Sequence, residues 1–454
     1  MQALYQLSYS PVLSVSVSVS LAATDRTLTG SPGVHQIGSS GAGRRRVGSP
    51  SVTVSVIAAS RVRQWPLATA ATACLLSLIA FWAAQRAAHV TMLDLMVYRA
   101  EGETVRAGGD LYAMRATSAN LAMTYPPFAG LLFTPLTLVG VPEMRTLATA
   151  GNLLLLVALV HLSLRLVTPG RSRTAQWKAT FWAAAVLVWC EPVWTTLRYG
   201  QINLLIAVAV LWDLTRREGN RWAGLGIGLA TAVKLTPGLF VVLLMAVGLF
   251  RLRETGWNHW LRQAATATAV FLGTTLVSAL ILPYDSKRFW TQTLFETGRV
   301  GFAEETANQS LRGVLARLMH TDDPGMWWAA TAAVLGAVAM TLAVRAALRE
   351  DKALAVVVCA LTALMISPIS WSHHWVWCVP LLILLADRVR TVWPVVAVAL
   401  AFASFALWWV PHDPGRPELD QNPGQMLLSG VYPLAAAGLL AGYALTRWRR
   451  SRTA

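Results

Sequence analysis

Charge is what this chain has least of. Asp, Glu, Lys and Arg make up 13% of its 454 residues, against roughly a quarter in soluble globular proteins. With 55% hydrophobic residues beside that figure, the composition points to a polytopic membrane protein. Acidic residues are the scarcer sign, 22 against 38 basic, for a net charge of +16. The basic residues fall in short loops between apolar segments, with no aromatic-interleaved patch. They therefore mark cytoplasmic loops and not a nucleic-acid surface. Cysteine is also sparse. Cys74, Cys190, Cys359 and Cys378 show no CxxC spacing, which argues against a zinc site or a disulfide framework and leaves buried thiols. No GxGxxG or Walker sequence occurs and no long soluble segment interrupts the apolar runs, which disfavours ATP-driven transport.

What is present begins with an atypical amino terminus. Residues 1–60 contain SVSVSVS from Ser14 and a Gly, Ser and Arg-rich stretch from Gly30 to Pro50. A secretory signal has a basic start followed by an apolar core, and this segment does not fit that pattern. It is expected to be a disordered cytoplasmic tail, dispensable for activity, ahead of a membrane domain over residues 61–454.

Apolar runs from Trp65 onward approach the ~20 residues a spanning helix needs. Basic loops (Arg44–Arg63, Arg171–Lys178, Arg216–Arg221, Arg251–Arg262, Arg349–Lys352, Arg388–Arg390 and Arg447–Arg452) are assigned to the cytoplasm. Threading the chain under that rule gives about twelve crossings. Two segments resist it. Leu121–Gly140 carries Pro126, Pro127 and Pro135 and is expected to be re-entrant, interfacial or a tight hairpin. Trp222–Phe250 has basic loops on both sides and KLTPG in its middle, which predicts two short helices meeting near Lys234.

The outward-facing segments then each bring polar groups next to apolar sequence. The first has Asp94, Tyr98, Arg99, Glu101, Asp110 and Tyr112; the second has Glu191, Arg198, Tyr199, Gln201 and Asn203; the third has Lys234 and Thr236. A longer loop carries Lys287, Arg288, Asn308, Gln309, Ser310, Arg312 and His320, and the next has Ser370, Ser372, His373 and His374. Singly, each has a mundane reading: a lysine snorkelling to the interface, histidines beside interfacial tryptophans. Jointly, one carboxylate loop faces several cations and amides, which suits a hydroxyl nucleophile and a phosphate leaving group. Asp94 is the expected general base. Lys234, Arg198, Arg312, His373 and His374 would hold the phosphate, and Tyr98, Arg99, Glu191, Gln201, Asn203, Asn308 and Gln309 would contact acceptor or sugar. Adjacent histidines diverge and the first-loop acids lack EF-hand spacing, so no metal site is assigned. NQS at Asn308 is discounted as a glycosylation signal.

Those residues carry a resemblance. DLMVYRAEG from Asp94, YPPF from Tyr125, EPVWTTLRYGQIN from Glu191, GLATAVKLTPGLF from Gly228, NQSLRG from Asn308 and SPISWSHHWVW from Ser367 resemble glycosyltransferase family 87. These are the polyprenyl-phosphate-mannose-dependent mannosyltransferases of mycobacteria and related actinobacteria. The resemblance implies an all-α polytopic membrane protein with a GT-C type fold and its active site on the periplasmic side of the inner membrane. It also implies a lipid-linked mannosyl donor, an α-1,2 product, and Asp94 and Lys234 as the family's first-loop aspartate and KLTP lysine. Phosphatidylinositol mannosides are the implied acceptors, most similarly to the fifth-mannose type. Lipomannan branching, or a flippase for a lipid-linked sugar, are the alternatives. No cofactor and a monomeric state are expected.

Overall fold

The computed structural model describes residues 65–412 and 415–452; the tail expected over residues 1–60 lies outside the described residues. Among those described, every regular element is helical, and the β-bridges Ala116–Leu121 and Asn308–Trp371 are isolated. Helix α1 (Leu67–Ala87) starts behind Pro66. Met92, with φ 52° and ψ 57°, then turns the chain sharply into α2 (Leu93–Arg106). After a long loop, α3 (Pro127–Phe133) opens on its own proline, whose missing N–H needs no partner in a first turn. A 3-10 turn over Thr134–Leu138 leads to α4 (Val141–Val167), followed by α5 (Arg173–Leu187), α6 (Glu191–Tyr199) and α7 (Asn203–Leu214).

Next come α8 (Leu225–Val233), α9 (Gly238–Thr255), α10 (His259–Ile281) and α11 (Pro283–Thr291). The remainder is α12 (Leu311–Leu318), α13 (Gly325–Leu348), α14 (Lys352–Ile366), α15 (Cys378–Arg388), α16 (Val392–Ala403), α17 (Pro423–Ser429) and α18 (Val431–Arg452).

Four helices among the described residues, α1, α4, α10 and α13, are long and apolar enough to cross a membrane. Counting the bent pairs α6–α7 and α17–α18 as one span each gives six. The sequence expectation of about twelve crossings is not reached by length. Helices α14 and α16, at 15 and 12 residues, fall short of a lipid core. Helix α14 is buried on nearly every side, which explains why it is apolar all round without facing lipid. By contrast α1 and α10 turn residues such as Leu76 and Leu280 outward, 61% and 74% exposed, as lipid-facing helices do. All four cysteines are buried and free.

The awkward segments have physical reasons. Leu121–Gly140 is α3 plus its 3-10 extension, cut short by its prolines. Trp222–Phe250 splits at Lys234, where φ −149° and ψ 124° interrupt the helix before Pro237. Four of the basic loops, 216–221, 251–262, 349–352 and 388–390, contribute ion pairs at helix ends. Arg388 pairs with Asp351 at 2.9 Å, Arg251 with Glu350, and His259 approaches Glu218 at 3.7 Å. The α8–α9 break and the turn after α14 both contribute to the site described next.

Candidate active site

Asp94 was expected in a loop; it lies instead in the first turn of α2, where a carboxylate is favoured by the helix dipole. Its partner is Gln201, in the elbow where α6 and α7 meet at 117°. The elbow depends on Gly200, whose φ of 67° suits glycine. A Cβ there would also lie 2.7 Å from the Leu95 Cβ, so glycine lets α6 close against α2. Gln201 Nε2 then donates to Asp94 Oδ2. The amide's Oε1 accepts from the Tyr98 hydroxyl at 2.7 Å and the Tyr125 hydroxyl at 3.3 Å. Tyr98 is held by stacking on Phe133 with ring centroids 4.3 Å apart.

The network continues into the cations. Asn203, at the start of α7, donates to the His373 carbonyl at 3.0 Å and accepts from Lys234 Nζ at 3.1 Å. Lys234 also lies 2.8 Å from His374 Nε2 and 5.5 Å from the Tyr125 ring centroid. Thr196 ties the same turn down through the His373 carbonyl at 2.9 Å. The structure therefore brings Asp94, Tyr98, Gln201, Asn203, Lys234, His373 and His374 into one cluster. Tyr125, quoted only as part of a motif in the sequence, belongs with them; YPPF was the signal, but its tyrosine carried no spacing cue.

Burial raises the Asp94 carboxyl to about 6, with the Gln201 hydrogen bond and the Lys234 charge working the other way. Burial also lowers the Lys234 ammonium, in the break between helices, to about 7 against the pull of Asp94. His374 is held well below its ordinary value by burial and then by Lys234. A neutral imidazole whose Nε2 accepts from the lysine fits that geometry. Asp94 Oδ1 has no hydrogen-bond partner among the described residues, and the buried His373 Nε2 and Ser370 Oγ are also unpartnered. A cleft beside Lys234 and His374 is also lined by Phe240, Ala360, Leu364 and Trp377.

Other residues assigned to the site from sequence are engaged elsewhere. Glu191 was expected to contact sugar. Its carboxylate instead accepts from Thr195, Ser372, Trp408 and Tyr432 at 2.7, 2.8, 3.0 and 2.7 Å, and it is fully buried. Asn308 is likewise buried, donating to the Ala303 carbonyl at 2.8 Å and accepting from the Ser370 N–H at 3.0 Å. Gln309 bonds the Thr306 and Ser429 carbonyls. Arg99 pairs with Glu103 and clamps the carbonyls of Leu136 and Val139, both at 2.7 Å. Arg312 lies on α12, 3.4 Å from Asp323 and 5.8 Å from the Trp328 ring centroid, and makes no contact with Lys234. Arg198 is half-buried one residue before Tyr199, which packs edge-on against His373 with ring centroids 5.4 Å apart.

Comparison with known proteins gives the family. Glycosyltransferase family 87 matches residues 123–368. A polyprenol-phosphate-mannose-dependent alpha-(1-2)-phosphatidylinositol mannoside mannosyltransferase of Mycolicibacterium smegmatis is 34% identical over 392 residues, 80% of this chain and 85% of the relative. The enzyme of that name from Mycobacterium tuberculosis is 36% identical over 333 residues, 69% of this chain and 73% of its own length. A pentamannoside mannosyltransferase from Mycobacterium tuberculosis is 37% identical over 302 residues, 65% and 66% of the two chains. No solved structure matches. A shared profile across the middle of the chain, and a relative aligned over four-fifths of it, identify the chain as a member of glycosyltransferase family 87.

Proposed function

We propose that this protein transfers mannose from a polyprenyl-phosphate-mannose donor to a phosphatidylinositol mannoside, forming an α-1,2 bond at the periplasmic face of the inner membrane. The observation that carries the reading is the joining of Asp94 to Lys234 through Gln201 and Asn203. A base and a phosphate-directed cation are thereby held in one cluster.

In the proposed reaction an acceptor hydroxyl oxygen attacks the anomeric carbon of mannose. Its proton passes to Asp94, and the bond from that carbon to the phosphate oxygen breaks with its electron pair leaving on polyprenyl phosphate. The β-linked donor gives an α-linked product by a single displacement, so one carboxylate suffices and none serves as nucleophile. Asp94 keeps Oδ1 open for the proton while Gln201 fixes Oδ2. Lys234 and Arg198 strengthen their hold as charge accumulates on the departing phosphate. His374 and Asn203 aim the lysine. The apolar lining of the cleft at Phe240 and Leu364 suits the prenyl chain that follows the phosphate.

Purified protein given labelled polyprenyl-phosphate-mannose and phosphatidylinositol mannosides should yield an α-1,2-linked product. A different linkage, or undiminished transfer by Asp94→Asn, overturns the reading.

A further inference from the structure

One buried acid in this region has no partner. Glu101 lies on α2, seven residues after Asp94, so the two share a helix face about 10 Å apart along the axis. The side chain is 1% exposed. Neither of its oxygens accepts a hydrogen bond among the described residues, and Oε2 is fully buried without one. No cation faces it. Its electrostatic neighbours are Asp94 on its own helix and the tyrosines Tyr98, Tyr112 and Tyr125. Burial, and then the Asp94 charge, push its carboxyl well above the ordinary range. That direction favours the protonated form, which can both donate and accept. Leaving such a group unsatisfied costs about 1–3 kcal/mol, while its neighbour Gly102 packs tightly, with room for no Cβ against the Phe133 carbonyl.

The position relative to the reaction is informative. Lys234 and His374 lie on the Asn203 side of Asp94, so the phosphate belongs there. Glu101 lies two helical turns along the Asp94 face, with Tyr112 and Tyr125 among its electrostatic neighbours. The loop that carries those two tyrosines is held mainly by side chains: Asp110 by Arg288, the Leu111 N–H by Asp285 at 2.9 Å, and the Tyr112 and Met123 carbonyls by Arg299. The distance from Asp94 is longer than one sugar ring.

We propose that Glu101 is a specificity-determining residue that exchanges hydrogen bonds with a hydroxyl of the acceptor sugar next to the one being extended. This rests on the glycosyl-transfer reading above and names which part of the acceptor the chain reads. An acceptor with a second sugar places a hydroxyl where the carboxyl lacks a partner, and an acceptor with one sugar leaves it unmatched.

The test uses the full-length protein with labelled polyprenyl-phosphate-mannose and two acceptors, octyl mannoside and octyl dimannoside. Wild type should prefer the dimannoside. Glu101→Leu should cut kcat/KM for the dimannoside about ten- to hundredfold, as expected when a buried polar partner is lost. The mannoside and the donor KM should stay within about twofold, and Glu101→Gln, which keeps both hydrogen-bonding roles, within about threefold on either acceptor. An equal fall on both acceptors, a change confined to donor KM, or no change at all overturns the proposal. Should Glu101→Leu fail to fold, wild type is tested on dimannosides lacking single hydroxyls on the non-reacting sugar. One position is expected to matter, and equal use of all of them overturns the proposal. Absence of any mannosyl product from wild type sinks the parent reading and this one with it, whereas normal product with an unaltered preference sinks this one alone.

Discussion

Two polar regions lie within one bundle and behave differently. Around Glu191, four donors saturate one carboxylate, and Asn308 and Gln309 complete a knot joining α6, α17, α18 and the turn after α14. Around Asp94, the hydrogen bonds form a line with open ends: Asp94 Oδ1, His373 Nε2 and Glu101 have no partners among the described residues. Both regions are rich in the same residue types and adjoin apolar helices. The saturated one holds helices together, because an unmatched polar group there would be expensive. The unsaturated one retains capacity for substrates.

The largest effect that would sharpen this contrast is on Asp94. Asp94→Asn should lower transfer about 10³-fold, within the range for a lost general base, while thermal unfolding in detergent stays close to wild type. Lys234→Ala should follow, reducing kcat/KM for the donor by about tenfold to a hundredfold with acceptor KM unchanged; an equal effect on both substrates would reduce the lysine to a structural role. Glu191→Leu should do the opposite of Asp94→Asn. It strands three buried donors and the partly buried Trp408, and should destabilise the fold by about 3 kcal/mol, seen as a lowered unfolding temperature. Activity per folded molecule should be largely retained. A Glu191 variant that is stable yet inactive would dissolve the distinction between the regions.

The pH profile is a smaller test. Asp94 works ionised, so the rate rises as pH passes about 6; Lys234 works protonated, so it falls as pH passes about 7. Replacing Lys234 by Arg, which stays charged throughout, should remove the alkaline limb and leave the acid one. The smallest effect expected is from Arg312→Ala. Its partner Asp323 is 70% exposed and 3.4 Å away, so both stability and transfer should change by less than about 1 kcal/mol equivalent.

Much of this was legible in the chain. KLTPG announced the break at Lys234 because proline and glycine act locally, and the apolar runs of α1, α4, α10 and α13 announced spans because length is local too. The gathering of Asp94, Gln201, Asn203, Lys234 and the two histidines followed from assigning basic loops to one side. What the sequence concealed was saturation. Glu191 and Asp94 look alike in a string of letters, and only the positions of Trp408 and Tyr432, more than two hundred residues along, reveal that Glu191 is fully occupied. The crossing number is hard to read for a related reason: α14 is apolar and surrounded by protein, and apolarity alone does not distinguish protein from lipid. The contacts of Arg99 with Glu103 and of Arg312 with Asp323 were equally invisible in the sequence.

The contact at Gly200 has a mechanical consequence. With no side chain of its own, Gly200 lets the α6–α7 elbow rest directly on Leu95 and Met92, and Thr196 and Asn203 fasten that elbow to the histidine turn. Asp94 and Lys234 are thus anchored to the same elbow, one through Gln201 and the other through Asn203. The segment bearing Tyr112 is fastened differently, by the side chains of Arg288, Asp285 and Arg299.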